Sequence, residues 1–161
     1  MKIRNALPQD AAAILALNED AVHFLSAMDL SRLEQLQQEA VWHQVVELNG
    51  QVVGFVLALR EGADYQSANY RWFAGRYAHF LYIDRIVIAE AVRGLGMGAM
   101  LYQRVLDYAR ETRVPYLTCE YDLDPPNPVS EKFHQTFGFE EVGRQQLASG
   151  KQVSMQVMQV S

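Results

Sequence analysis

The sequence predicts an α/β (α+β) chain with a mixed, mostly antiparallel sheet of six to seven strands and about four helices on its two faces. Three observations lead there. Asn49-Gly50, the strongest short-range hairpin signal, sits between two apolar runs, 42–48 and 52–59, and joins them as an antiparallel pair. Residues 79–88, 97–110 and 116–121 read as strand, helix and strand, a crossover whose strands are parallel. Ser149-Gly150 turns a final pair, 139–147 and 152–160. With no repeat, linker or low-complexity segment, residues 1–161 are expected to form a single domain.

The elements follow in order. Residues 2–6 suit a short strand, and Leu7-Pro8-Gln9-Asp10 leads into a helix whose first turn Asp10 can cap. Ala11, Ile14, Leu15, Leu17 and Val22 then recur at helical spacing. A second helix is expected from Ser31, where Ser31-x-x-Glu34 matches a capping box, to about Ala40. Phe24, Leu25 and Met28 lie between the two and read as core. After the hairpin, residues 61–76 break into a polar, glycine-containing stretch carrying Tyr65, Tyr70, Trp72 and Phe73, with Tyr77 just beyond. Such a stretch suits a substrate lid, or equally a dimer contact or a flap packed on itself.

Strand 79–88 is mostly apolar, as a strand covered on both faces should be. In the helix after it Met97, Leu101, Val105, Tyr108 and Ala109 make one apolar stripe. Pro115 ends that segment, and Asp124-Pro125-Pro126-Asn127-Pro128 is a rigid connector in which Asn127 can cap a helix and Pro128 can open it. The helix ends at Phe137-Gly138. Phe133 and Phe137, one turn apart, are expected to face the core, with Asn127, Ser130 and His134 on a different face. In the last strand the apolar phase of Val153, Met155 and Val157 slips before Met158 and Val160, so a bulge is expected there.

Composition narrows the function. At 161 residues, half of them hydrophobic, the chain can bury roughly two thirds of its unfolded surface without metals or disulfides. A net charge of −5 argues against a nucleic-acid surface and weakly suits a cationic amine as substrate. The single cysteine, Cys119, excludes an internal disulfide and points to a reducing compartment. It alternates onto the face of Leu117 and Tyr121 and reads as a small core residue rather than a nucleophile. No apolar run approaches the ~18 residues of a membrane span, and Met1-Lys2-Ile3-Arg4 leads into a polar stretch, so a cytoplasmic protein is expected. His23, His43 and His79 have no metal-ligand spacing, and no metal is expected.

The chemistry concentrates between Asp84 and Ala99. An apolar strand passes through a short polar turn, enters Gly94, Gly96 and Gly98, and leaves as a helix. Glycines let backbone N–H groups approach an anion, a helix start offers further N–H groups and a positive dipole end, and Arg93 adds a cation. Gly94-x-Gly96-x-x-Ala99, with Glu120 further on, formally satisfies the dinucleotide fingerprint. That fold places its glycines directly after the first strand, whereas here residues 89–93 intervene and the loop lies past the middle of the chain.

Arg93-x-x-Gly96-x-Gly98 also matches the (Gln/Arg)-x-x-Gly-x-(Gly/Ala) signature of the GNAT superfamily of acetyl-coenzyme A-dependent N-acetyltransferases. The chain resembles that family before the motif, at Ile86-Val87-Ile88, and after it, from Asn127 to Gly138-Phe139, and with its strand and helix pattern nearly throughout. The resemblance implies a GNAT-like twisted sheet and an N-acetyltransferase that moves the acetyl group of acetyl-CoA directly to a primary amine of a small molecule or peptide. It implies that Arg93, Gly94, Leu95, Gly96, Met97, Gly98 and Ala99 take the pyrophosphate, and that the backbone of Ile86, Val87 and Ile88 pairs with the pantetheine arm and polarises the thioester carbonyl. Asn127, with Ser130 and Phe133 on the same helix, would complete the coenzyme site. The family's thiolate-protonating Tyr falls at position 134, where this chain has His134, an acid or a hydrogen-bond partner.

Asp84 and Glu120 are candidates for the base, each equally suited to a structural salt bridge or to holding the substrate's ammonium group. Phe24, Trp72, Tyr82 and Tyr121 are expected to touch the substrate. A homodimer is expected by analogy with the family. Two alternatives stand beside this reading: a non-catalytic acyl-CoA-binding or interaction module, and a nicotinamide-dinucleotide oxidoreductase.

Overall fold

A computed structural model describes residues 1–21, 25 and 27–161. Phe24, expected to touch substrate, and Val22 and His23 lie outside the described residues. The elements are β1 (Lys2–Asn5), α1 (Ala11–Asp20), α2 (Leu30–Glu39), β2 (Trp42–Leu48), β3 (Gln51–Arg60), α3 (Ala68–Ala74), β4 (Leu81–Ile88), α4 (Met97–Glu111), β5 (Tyr116–Asp124), α5 (Pro128–Phe137), β6 (Glu140–Gln146) and β7 (Gln152–Gln159). The strands form one mixed sheet in the order β1-β2-β3-β4-β5-β7-β6. β4 and β5 run parallel, with Leu81 opposite Leu117 and Tyr82 opposite Thr118. The pairs β1–β2, β2–β3, β5–β7 and β6–β7 are antiparallel. This is the mostly antiparallel sheet expected, with one helix more than expected, α3.

The chain divides into two compact units, and the first comprises Met1–Leu59 and Ile83–Gln103. Its core is built from Ile14, Leu33 and Leu36 of the helices and Val45, Val46, Phe55 and Leu57 of the hairpin, each at most 1% exposed. Asn49 (φ 53°) and Gly50 (φ 78°) both take positive φ, the conformation an Asn-Gly hairpin turn demands. A Cβ at Gly54 would lie 2.8 Å from Ile88 Cδ1 and 2.9 Å from Val87 O, so glycine lets β3 approach the end of β4 closely.

Two capping expectations are corrected here. The Ser31-Glu34 box does not open α2: the helix starts at Leu30, and the Asp29 carboxylate accepts from Arg32 N at 2.8 Å. An extended Asp before the helix is as good a cap as Ser. Asp10 makes no side-chain cap to α1. Its carboxylate accepts instead from Leu7 N (2.7 Å) and from Arg4 Nη1 and Nη2 (2.8 and 2.9 Å), a charge-assisted fork stronger than a single cap.

His43 on β2 packs edge-on against Phe55, and its Nε2 is buried without a hydrogen-bond partner among the described residues. Burial lowers its pKa from 6.5 to about 4, against a smaller opposing pull from Asp10. The unfolded chain therefore takes up this proton near pH 6.5 and the folded one only near 4, so stability is lost as pH falls between them. At about 1.4 kcal/mol per pH unit the loss approaches 3 kcal/mol. Urea unfolding at pH 7 and pH 4.5 should show it, and His43→Leu should flatten the dependence.

The second unit comprises Arg60–Tyr82 and Arg104–Ser161. Its stretch 61–76 contains α3, capped by Ser67, and Tyr65, Tyr70 and Phe73 are buried there. Tyr70 meets Tyr65, Phe80 and Tyr82 at centroid distances of 5.5, 5.6 and 5.6 Å, so these aromatics form a cluster packed on itself. Trp72 stacks under the Arg76 guanidinium at 3.9 Å and covers Gly143 so closely that a Cβ there would fall 2.5 Å from its ring.

On α5 the inward residue is His134, 4% exposed, whereas Phe133 and Phe137 are half-buried and stacked on each other at 6.0 Å. The expected core face is thus displaced by one residue, because His134 fits between the rings of Tyr121 (5.4 Å) and Phe139 (5.3 Å). The bulge expected before Met158 is also absent: Val157 and Met158 pair in register with Thr118 and Leu117. The register steps instead between Glu141 and Gly143 on β6 and between Asp122 and Asp124 on β5. β7 is buried on both faces from Val153 to Val157, so its apolar phase carries no information about register.

Candidate active site

In the first unit, Val87 is buried while Ile86 and Ile88 are half-buried, and Ala89 N donates to Val53 O at 2.8 Å, which holds the end of β4 against the hairpin. After a single helical turn at Glu90–Val92, Arg93 is extended and its Nε donates to Ile88 O at 3.4 Å, keeping the guanidinium beside the loop. Gly94 and Gly96 take φ of +84° and +79°, values an L side chain rarely adopts. A Cβ on Gly94, Gly96 or Gly98 would find nothing within 4 Å, so the loop is open on its glycine side. The first helical bond of α4 is Met100 N to Gly96 O, so the N–H groups of Met97, Gly98 and Ala99 precede the helix's own acceptors. Met97, 4% exposed, anchors the loop, and Leu95, 65% exposed, marks its rim. All seven expected loop residues therefore belong to one turn that suits a phosphate group.

Asp84 lies in a buried ion pair: its Oδ2 accepts from Arg85 Nε at 2.6 Å, and both side chains are 4% exposed. Arg85 Nη1 donates in turn to Asn18 Oδ1 at 2.9 Å. The salt-bridge role weighed for Asp84 is the one its geometry supports.

In the second unit, Glu120 on β5 is the centre of a hydrogen-bonded set. Tyr82 OH donates to its Oε1 and Oε2 at 2.8 and 3.0 Å, and Asn69 Nδ2 donates to Oε1 at 2.9 Å. Gln145 Nε2 donates to Asn69 Oδ1 at 2.9 Å, which fixes the Asn69 amide with its nitrogen toward the carboxylate. Glu120 and Tyr82 are thus brought together, while Asn69 and Gln145 were not anticipated. Asp122, two residues on and so on the same face of β5, was also missed. It is 7% exposed, lies 3.2 Å from Lys151 Nζ, and burial raises its pKa despite that lysine.

Asn127 caps α5, accepting from Ser130 N at 3.3 Å through Oδ1. One turn on, His134 Nδ1 lies 2.6 Å from Ser130 O and 3.2 Å from Ser130 Oγ. A carbonyl only accepts, so Nδ1 carries the hydrogen and Nε2 carries the lone pair. Burial lowers the imidazole's pKa, only partly opposed by the Ser130 bond, and this keeps the ring neutral at pH 7.

A family profile described as Acetyltransferase (GNAT) family matches residues 10–139. No curated relative matches the sequence. Among solved structures, the chain is similar to Ard1 from Thermoplasma volcanium, with a TM-score of 0.80 at 16% identity, covering 99% of this chain and 97% of that one. It is similar to ribosomal-protein-alanine N-acetyltransferase from Brucella melitensis, with a TM-score of 0.72 at 24% identity over 99% of both chains. It is also similar to yncA from Salmonella typhimurium, solved with its cofactor acetyl-CoA, with a TM-score of 0.73 at 22% identity over 100% of this chain and 94% of that one. At these identities the likeness is one of fold.

Proposed function

Because the chain belongs to the acetyltransferase (GNAT) family and is therefore an acyltransferase, we propose that residues 1–161 act as one domain that transfers an acetyl group from acetyl-CoA to a primary amine. The observation that supports this most is the open loop from Arg93 to Gly98, whose positive-φ glycines and uncommitted helix-start amides match a diphosphate. Acetyl-CoA supplies the acetyl group as a thioester, a reactive acyl donor. Arg93 and the amides of residues 94–99 hold its diphosphate, and the half-buried edge of Ile86 to Ile88 lines the arm. Asn127, whose Oδ1 accepts at the helix cap, would offer its Nδ2 to the coenzyme.

Glu120 takes the acceptor. Its carboxylate is oriented by two neutral donors, Tyr82 and Asn69, which set its direction without adding positive charge of their own. That arrangement suits an ammonium group, which it binds and from which it accepts a proton. The acceptor is a small amine or an exposed amino group on a peptide; the likeness to a ribosomal-protein-alanine N-acetyltransferase supports including amino-terminal alanine peptides in any screen. Calorimetry with acetyl-CoA tests the donor half, and release of free thiol across a panel of amines and such peptides tests the acceptor half. Absence of binding overturns the reading. Binding without thiol release for any amine would leave the chain a coenzyme-binding module.

A further inference from the structure

Glu120 and Gln145 share a face of the sheet but not a strand pair. β7 runs between them: Met155 stands opposite both Glu120 of β5 and Gly143 of β6, and Gln145 lies two residues along β6 from Gly143, on the same face. Strands lie about 4.8 Å apart, so two steps separate the backbones of β5 and β6 by roughly 10 Å. Asn69 of α3 bridges that interval, with Nδ2 2.9 Å from Glu120 Oε1 and Oδ1 2.9 Å from Gln145 Nε2. Trp72, three residues after Asn69 and so on the same side of the helix, closes over Gly143. Two residues of α3 thus meet two of β6, all four half-buried.

The oxygen and nitrogen ends of an amide are nearly the same size, so packing alone does not choose which end of Asn69 faces the carboxylate. Hydrogen bonding does. As it stands both ends are matched; turned over, the Asn69 nitrogen would face the Gln145 nitrogen and its oxygen the carboxylate, donor against donor and acceptor against acceptor. Each of these half-buried groups would then lose a bond. Tyr82, the other donor to Glu120, carries a single hydroxyl on a buried ring and has no such choice to make. We propose that Gln145 is a positioning residue for the acceptor carboxylate, acting on Glu120 only through Asn69, whose amide it holds with the hydrogens toward Oε1. This rests on the reading that Glu120 takes the amine. With Oε1 held, the carboxylate's remaining lone pairs keep one direction, so an amine arriving on them is placed as well as bound.

The test compares Gln145→Glu in the full chain with the same change in an Asn69→Ala background. A carboxylate at 145 only accepts, so it draws the Asn69 nitrogen to itself and leaves the oxygen toward Glu120. With acetyl-CoA and whichever amine of the panel releases thiol fastest, kcat/KM for the amine should fall roughly 10- to 100-fold in the parent and by about threefold or less without Asn69. The added charge is common to both backgrounds and cancels in the comparison. Gln145→Met, which removes the donor and adds no charge, should cost about threefold in the parent and nothing without Asn69. Coenzyme A affinity by calorimetry should not change. A second readout needs no substrate: the carboxyl carbon of Glu120, followed by NMR in carbon-13-labelled protein. Its titration midpoint should rise in Gln145→Glu, because losing a donor disfavours the charged form, and should rise much less where Asn69 is already alanine. Tyr82, Cys119 and the Asp122–Lys151 pair, the charged and titratable groups around Glu120 described above, are the same in every variant. Equal effects of Gln145→Glu in the two backgrounds, by either readout, overturn the assignment and leave the role of Glu120 intact. Midpoints that move as expected while Glu120→Gln keeps full turnover overturn Glu120 as the acceptor's carboxylate, and with it the part of Gln145 in the reaction.

Discussion

Gly96→Glu should weaken coenzyme A binding by about a hundredfold or more. Two independent terms add. Position 96 sits at φ +79°, where a residue with a Cβ costs about 1–2 kcal/mol. The new carboxylate also places a like charge in a turn whose amides and Arg93 are suited to a diphosphate, and removes room where nothing now lies within 4 Å. With the lost room they approach the roughly 2.8 kcal/mol that a factor of 10² requires. Gly150→Glu is the control. Gly150 has a comparable φ of +90° and equally open surroundings, but lies in the β6–β7 turn, so it carries the strain without the electrostatic term. Calorimetry should find the first variant crippled and the second close to the parent. Equal affinities for both variants would show that residues 93–98 do not hold the coenzyme.

What could be read from the sequence is what is local. Asn49-Gly50 forces its turn through backbone conformation alone, and Asn127-Pro128 to Gly138 carries its own cap, opening and stop, so both were legible before any fold was known. The glycine loop from Arg93 to Gly98 is equally local. α3 was not legible, because it is seven residues long and its inward side chains, Tyr70 and Phe73, are held by Phe80 and Tyr82 from outside the helix. Periodicity showed that Phe133 and Phe137 share a face, but not that the partners waiting on β5 and at position 139 would draw His134 inward instead.

The set around Glu120 marks the same boundary. Asn69 and Gln145 are neutral amides far from it in sequence, with no spacing that announces them. Asp122 did carry a signal, since residues two apart on a strand share a face. The buried Ser154 and Gln156 hide for a different reason: alternation identifies a buried side only where the other side is wet, and β7 has none.

Glu120→Gln should lower kcat/KM for the amine by about 10²–10⁴-fold at pH 7 while leaving coenzyme A affinity unchanged. The substitution keeps the side chain's size and leaves an oxygen to accept from Tyr82 OH, so the fold should hold; thermal unfolding checks this. What it removes is the charge that binds an ammonium and the basicity that accepts its proton. A second measurement separates these roles from packing. An unhindered amine of the lysine type loses its proton by itself near pH 10.4, so the variant's deficit should narrow as pH rises toward that value, whereas a packing defect would be indifferent to it. Tyr82→Phe, which leaves the carboxylate in place but removes the one phenol hydrogen its two oxygens share, should fall between parent and Glu120→Gln. If Tyr82→Phe proves the worse of the two, the phenol rather than the carboxylate is the group the acceptor meets.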